Sequence, residues 1–209
     1  MVDKKEKKPI IESLRGIVEA ILLNSHTALP GIVETFNASD KTVSVKPALK
    51  RKYENGVIKE LPVIPNVPIV YPQGSEALIS FPLKNGDPVL LVFSERSIDT
   101  WKNKGGSVSP EDERKFDLTD AIAIPGVFHI GGGIEAKPAS LLIKYKNFDI
   151  EITDAGKIKI TNGTYDVIKI IDDTLTALTN MTINTMLGPQ PPNNLATFIT
   201  LKNQMGNFV

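Results

Sequence analysis

The sequence predicts a mainly β protein in which a small antiparallel barrel precedes a short set of strands and a helical C-terminal segment. Three observations predict this class. Apolar and polar residues alternate at period two from Gly31 to about Gly126, with turn residues between short runs. The same period returns more sharply at residues 141–163. After Tyr165 the apolar spacing lengthens to that of a helix.

The first predicted element is an amphipathic helix over residues 9–24, within an N-terminal segment 1–29. Its apolar residues recur at helical spacing and therefore share one face. They are Leu14, Ile17, Val18, Ile21 and Leu22. Because Glu12, Arg15 and Glu19 interrupt the apolar run, neither a signal peptide nor a membrane span is expected. The apolar face either packs on its own domain or docks onto a partner subunit.

The barrel is predicted over residues 30–128. The candidate strands are Gly31–Phe36, Thr42–Arg51, Val67–Tyr71, Ala77–Pro82, Pro88–Phe93 and Ala121–Ile124. Turn pairs such as Asn55-Gly56 and Asn85-Gly86 supply the positive φ that tight hairpins require. Short strands in this number, with no helix between them, match the size of a five-stranded OB-type barrel. The polar stretch between Ser94 and Leu118 is expected to be a long loop with a helical turn.

Residues 129–140 are predicted to be a linker, and residues 141–164 are predicted to form three short strands with one apolar face. The apolar residues of this face are Leu141, Ile143, Phe148, Ile150, Ile152, Ile158 and Ile160. Lysine, aspartate and glutamate alternate with them and point the other way. A sheet of this size is marginal alone and has open edges. It must therefore pack on the barrel or pair with other chains.

Residues 165–209 are predicted to be helical. One helix runs from Tyr165 to Met186, residues 188–192 end it, and Asn193 or Asn194 caps a last helix. Alternating spacings of three and four form a short a/d stripe. The stripe consists of Ile168, Ile171, Leu175 and Leu178. Isoleucine at its first two positions favours three or more strands, but two heptads also fit a helix that faces its own core.

Composition excludes several kinds of chemistry. The 209 residues include 24 basic and 24 acidic side chains, two histidines and no cysteine. Disulfides, thiolate metal sites and thiol nucleophiles are therefore excluded. The carboxylates at 111–113 and at Asp172-Asp173 fit solvated surfaces better than an acid–base pair. No catalytic residue, enzyme activity or cofactor is expected.

A basic run offers an alternative function, that of an OB-type module that binds single-stranded nucleic acid. The run consists of Lys46, Lys50, Arg51, Lys52 and Lys59. Such modules combine a basic groove with several stacking aromatics. Here one tyrosine, Tyr53, accompanies the run, while Glu54 and Glu60 dilute its charge. A solvated strand is the better interpretation, and no nucleic-acid partner is expected.

Five consecutive stretches carry a resemblance to a known family. They are GIVETFN, KTVSVKPALKRKYENG, ELPVIPNVPIVYPQGS, ALISFPLKNGDPVLLVFSERSIDTW and RKFDLTDAIAIPGV. Together they resemble the N-terminal OB domain of phage-tail central spikes, the membrane-piercing baseplate proteins of contractile tails. The run FPLKNGDPVLLVFSERSIDTW is the most specific part, and the resemblance covers about residues 30–128. The segment TMLGPQPPNNLATFITLKNQM also resembles the C-terminal segment of baseplate spikes with a short shaft.

This resemblance implies a structural virion protein, a parallel homotrimer at the distal end of a phage tail, made in the host cytoplasm. Its OB domains would form a collar that meets the tail hub protein. The next strands of three chains would intertwine into a short triangular β-helix or prism, with the seven strand residues and the a/d stripe as the trimer core. The face of the N-terminal helix would then dock on the hub. The trimer would transmit the force of sheath contraction to the host envelope.

The sequence departs from longer spikes at its C-terminal end. Those spikes carry an extended β-helix and a pointed tip, often with an H-x-H pair from each chain that holds iron. Neither His26 nor His129 has a second histidine two residues away, so no tip metal is expected. The chain is then either a spike base that holds a separate tip protein, the preferred interpretation, or a blunt tip itself. An enzyme or another β-rich binding protein is a third class, for which the sequence indicates no pocket.

Overall fold

A curled antiparallel sheet is the centre of the first of two structural units. The structure is a computed structural model that describes residues 7–53 and 55–206. One unit ends at Gly133 and the other begins at Ile134. As predicted, strands dominate, and helices are found mainly at the two ends of the chain.

The sheet of the first unit contains five strands. They are β1 (Ala28–Asn37), β2 (Thr42–Pro47), β5 (Ile64–Pro68), β6 (Pro88–Phe93) and β7 (Ala121–Pro125), in the spatial order β5-β2-β1-β6-β7. A separate two-stranded ribbon joins β3 (Arg51–Lys52) to β4 (Ile58–Lys59). The sheet curls into a half-barrel, and a single parallel bridge between Ile69 and Ala123 connects the chain beyond β5 to β7. Val70 N–H donates to the Ala123 carbonyl at 2.9 Å in this bridge.

The concave face of this sheet holds the apolar core. Its buried members are Val33, Val43, Val45, Ile64, Val67, Ile69, Tyr71, Leu83, Val89, Leu91, Phe93, Ala121 and Ala123. Alternate residues of β2 and β6 point into this core, as the period-two pattern predicts. At Gly31 an added Cβ would lie 2.4 Å from Cγ1 of Val45, so only glycine permits this close packing within β1.

Three predicted strands of the barrel are wrong in position, extent or kind. The strand predicted at Val67–Tyr71 lies three residues earlier, at Ile64–Pro68. The strand predicted at Thr42–Arg51 ends at Pro47, and Arg51 belongs to the separate ribbon. The strand predicted at Ala77–Pro82 is absent, because this segment folds back through an isolated bridge between Gln73 and Leu78. The Tyr71 hydroxyl donates to the Phe81 carbonyl at 3.0 Å and holds the segment on the barrel. Its residues are mostly apolar, but its backbone pairs locally instead of joining the ladder.

The first unit also contains two helices. α1 (Lys7–Asn24) precedes the barrel, close to the predicted range. α2 (Asp99–Lys104) is the helical turn expected within the polar stretch. Only residues 25–27 separate α1 from β1.

The second unit begins with a three-stranded antiparallel sheet. Its strands are β8 (Ser140–Tyr145), β9 (Phe148–Thr153) and β10 (Ile158–Thr161), in the order β10-β9-β8. α3 (Val167–Thr179), a hairpin of β11 (Ile183–Thr185) with β12 (Gly188–Gln190), and α4 (Leu195–Met205) follow. A closed prism of three chains is not a feature of this single-chain sheet.

The helix predicted from Tyr165 to Met186 is too long. α3 ends at Thr179, and residues 183–190 form the β11–β12 hairpin. Threonine and asparagine are weak helix formers, and they dominate the sequence between Thr179 and Thr185. Gly188 has a φ of 98°, which suits the turn of this hairpin. Asn194 stands at the N-cap of α4, one of the two predicted positions.

Candidate assembly surfaces

The sheet of the second unit has one apolar face. Antiparallel partners lie on the same side of a sheet. Ile150 of β9 lies opposite Ile143 of β8 and Ile160 of β10, and Ile152 lies opposite Leu141 and Ile158. Tyr145 and Phe148 also form a pair. The apolar sheet face therefore comprises Leu141, Ile143, Tyr145, Phe148, Ile150, Ile152, Ile158 and Ile160, and it contains all seven strand residues that the sequence predicted.

This face is open in the single chain. Leu141 and Ile143 are 63% and 61% exposed, and Phe148 and Ile152 are also exposed. Ile150, Ile158 and Ile160 are half-buried. Among the described residues of the second unit, no Val, Ile, Leu, Met, Phe or Tyr side chain is buried. The second unit therefore lacks a closed apolar core within one chain.

The opposite face of the same sheet is charged and internally paired. Lys144 Nζ lies 2.7 Å from Asp149 Oδ1, and Lys137 Nζ lies 2.6 Å from Glu151 Oε2. The hydrogen bond from Lys137, followed by that from Ser140, lowers the pKa of Glu151. This face is thus satisfied within one chain, whereas the apolar face is not.

The predicted a/d stripe of α3 is only partly buried. Ile168, Leu175 and Leu178 are half-buried, and Ile171 is exposed. α3 packs against α4 and β10, and an ion pair between Asp172 and Lys202 joins the two helices. Asp172 is therefore part of a helix–helix contact and not simply of a solvated face. Within one chain the stripe is therefore neither buried in a core of its own unit nor fully free to form a seam with other helices.

The apolar face of α1 is open as well. The five residues predicted there, Leu14, Ile17, Val18, Ile21 and Leu22, are each 53–66% exposed. The described part of the barrel unit does not cover them, so this face does not pack on its own domain. The C-terminal end of α1 is attached, since Arg51 Nη2 donates to the Leu23 carbonyl at 2.9 Å. Beside it, the His26 ring packs on Phe93, and burial, with the nearby Arg51 charge, lowers the pKa of His26.

Part of the basic run is engaged in contacts within the chain. Lys46 and Lys50 both form ion pairs with Glu60, at 2.7 and 3.1 Å. The hydrogen bond from Lys46, followed by that from Lys50, lowers the pKa of Glu60. Lys59 lies over the Tyr53 ring, 5.9 Å from its centroid. Two of the five basic side chains share one carboxylate, and the one tyrosine that accompanies the run contacts Lys59, so nucleic-acid binding is not favoured.

A charged cluster in the polar stretch has no counterpart among the sequence predictions. Arg114 Nε lies 2.7 Å from Asp120 Oδ2, and its Nη2 donates to Asp120 Oδ1 and to Asp99. Asp112 also pairs with Arg114, so one carboxylate of the 111–113 group is engaged and not only solvated. Asp120 is 0% exposed and also accepts from the Ile98 N–H at 3.0 Å. The cluster fastens α2 and its flanking loop to the edge of the barrel.

The Arg114 cluster predicts a loss of stability in acid. Arg114, followed by Lys102, lowers the pKa of Asp99 from its ordinary value of 3.8. A carboxylate with a depressed folded-state pKa contributes stability that is present above its unfolded value and is lost as the pH falls through the folded value. We expect the free energy of unfolding of the first unit to decrease below about pH 4, and Asp99→Asn to reduce that decrease. Urea titrations followed by Trp101 fluorescence at several pH values measure it, and an identical pH profile for Asp99→Asn would contradict it.

The described part of the chain has neither a metal-binding cluster nor a membrane-spanning helix. Among residues 7–53 and 55–206, no three His, Cys, Asp or Glu side chains cluster closely enough to hold a metal ion. None of the helices in the described ranges has the length and apolar content of a membrane span. His129 is exposed, and its carbonyl accepts from the Gly132 N–H at 2.9 Å in a turn.

Comparison with known proteins identifies the barrel region. Residues 29–126 match the family described as Phage protein Gp138 N-terminal domain. The match spans β1 to β7 with α2, which is slightly less than half of the chain. No curated protein matches the sequence. The family match supports a phage structural protein, with a role as a component of the virion.

Proposed function

On the premise of a barrel that matches a phage protein family, we propose that this protein is a homotrimeric central spike, or spike base, of a contractile-tail baseplate. It joins the tail hub protein to a separate tip protein and transmits the force of sheath contraction to the host envelope. Its work is mechanical, so it has no catalytic residue and needs no cofactor.

The first step of the proposal is that the half-barrel is an OB-type domain. The strand order β5-β2-β1-β6-β7 and the parallel bridge between Ile69 and Ala123 support it. An OB-type barrel is a five-stranded, partly open Greek-key barrel, and this sheet has the same strand number and a single weak closure. Three such domains around one axis would form the collar that meets the hub.

The observation that carries the trimer is the open apolar sheet face. An isolated chain would expose this face while the opposite, charged face satisfies its own ion pairs. Burying apolar side chains of this size stabilises by about 1.5–3 kcal/mol each. Three copies that close their apolar sheet faces on one axis would build the core that the second unit lacks, and would remove its open strand edges. α3 would add its half-covered stripe to the same core.

Light scattering of the purified full chain tests the trimer. We expect a mass near three times the 22.8 kDa of one chain, maintained on dilution. A monomer at low concentration would contradict the proposal, because the apolar sheet face would then be solvent-exposed in the native protein.

Cryo-electron microscopy of virions that contain this protein tests its place in the tail. We expect density for three copies on the tail axis below the tube. Density elsewhere in the virion, with a trimer in solution, would refute the baseplate location and leave the trimer intact.

A further inference from the structure

We propose that the apolar stripe of α1 is covered by the α1 helices of two other copies, which together form a parallel three-stranded coiled coil. This inference rests on the proposed homotrimer and assigns a second interface to it. The α1 stripe consists of a central line, Ile10, Leu14, Ile17 and Ile21, flanked by Ile11, Val18 and Leu22.

The spacing of the residues in the central line indicates that the partner is a helix. Its residues are separated by four, three and four positions, which is the repeat of a coiled-coil seam. A seam of this kind fits another helix of the same sequence, side by side. All four side chains are more than half exposed in the single chain, so nothing in the described barrel unit competes for them.

The residue types of the stripe allow two seams. In the first, Ile10 and Ile17 occupy d positions and Leu14 and Ile21 occupy a positions, which favours trimers and tetramers. In the second, Ile11 and Val18 occupy a positions and Leu14 and Ile21 occupy d positions, which favours two strands. Both seams are apolar, so the stripe is wider than one two-stranded seam, and the three copies proposed for the second unit select the first seam.

The attachment of α1 to the barrel allows even a short coiled coil to form. Eighteen residues are marginal for an isolated helix in water. Each α1 is held to its own barrel at its C-terminal end, because only residues 25–27 separate it from β1 and Arg51 Nη2 donates to the Leu23 carbonyl. A homotrimer of the barrels therefore brings three copies of α1 into one particle. Tethering of this kind raises the effective concentration of the helices for one another.

A lipid surface is a poorer occupant for the same stripe. Membrane-surface helices carry many lysines and arginines on the polar face. Over its whole length α1 has Lys7, Lys8 and Arg15 against Glu12 and Glu19, and Arg15 Nε lies 3.9 Å from Glu19 Oε1. Its charge is close to balanced, so attraction to anionic lipid would be weak.

The chain has no cysteine, so a single introduced cysteine reports on α1 without background. Leu14→Cys and Ile17→Cys place the thiol on the stripe, and Glu12→Cys and Glu19→Cys are matched controls on the opposite side. A disulfide forms only when two Cα atoms approach within about 7 Å. After mild oxidation of the full chain, we expect a covalent dimer band from both stripe variants and little from the controls.

Light scattering of the same samples separates this proposal from the proposed function. A mass of three chains with no disulfide at Leu14→Cys and Ile17→Cys would overturn the coiled coil and leave the trimer in place. This is the result expected if α1 docks on the hub protein instead of on other copies of α1. Equal yields from stripe and control variants would also overturn it, because they indicate random collision. A monomeric mass would overturn both proposals.

Discussion

Replacing Ile143 by lysine is expected to dissociate the trimer, whereas the same replacement at the neighbouring Leu142 is expected to leave it intact. The two residues are adjacent on β8 and point to opposite faces. Ile143 belongs to the apolar sheet face, opposite Ile150, while Leu142 lies opposite Glu151 on the charged face. Because both variants introduce lysine, comparing them tests which face of the sheet forms the interface between the copies.

A single chain and a trimer predict opposite orders for the damage caused by Ile143→Lys and Leu142→Lys. Within one chain Ile143 is 61% exposed and Leu142 is half-buried, so a chain that acts alone should tolerate Ile143→Lys better. In the trimer Ile143→Lys loses about 2 kcal/mol of apolar burial per chain and places three like charges around one axis. Leu142→Lys instead places its ammonium beside Glu151.

Light scattering measures the outcome. We expect Ile143→Lys to lower the mass from about three chains to one, and Leu142→Lys to retain three. Ile150→Asp, on the central strand of the same face, should behave as Ile143→Lys does. A stable trimer that contains Ile143→Lys, or dissociation by Leu142→Lys alone, would refute the apolar sheet face as the trimer interface.

Replacing Arg114 by alanine is expected to lower the free energy of unfolding of the first unit by about 3–5 kcal/mol, because a buried charge loses its partner. Asp120 is 0% exposed, and its carboxylate receives two hydrogen bonds from Arg114. The remaining donor, the Ile98 N–H, does not neutralise the charge.

Urea unfolding followed by fluorescence measures this loss, since Trp101 is the only tryptophan and lies in α2 beside Asp99. Asp112→Asn is the control, because that carboxylate is 48% exposed and its pair should contribute less than about 1 kcal/mol. Adding Asp120→Asn to Arg114→Ala should recover part of the stability, since the uncompensated charge is removed. Equal losses in Arg114→Ala and Asp112→Asn would contradict the account.

The sequence predicted elements best where one local period decided the structure. Alternation at 141–163 predicted three strands and the side of the sheet to which each apolar residue points, and the register agrees. Whether those residues form a trimer core stays a prediction. Ala77–Pro82 is a short apolar run, yet Tyr71 and Gln73 hold it by local contacts, so its composition does not reflect a place in the ladder.

The Arg114 cluster shows why the charged contacts of the loop around α2 could not be predicted from the sequence. Arg114 meets Asp99 and Asp120 across separations of 15 and 6 residues, in a loop without periodicity. No spacing rule connects these positions, because the contact depends on how α2 lies against β7. The sequence suggested that the carboxylates at 111–113 are solvated, and the structure pairs one of them, Asp112, with Arg114. It made no prediction for Asp99 and Asp120, the carboxylates that anchor the loop.

The sequence by itself determined the mainly β class, the resemblance of residues 30–128 to a phage domain, the absence of thiol chemistry and the residues of the two apolar faces. These depend on composition and on short repeats, which act through local backbone geometry. Only the tertiary structure decided the strand order, the half-barrel curl, the exposure of the two apolar faces and the burial of Asp120. Each of these depends on contacts between residues far apart in the chain, whose balance of burial, hydrogen bonding and charge no local pattern contains.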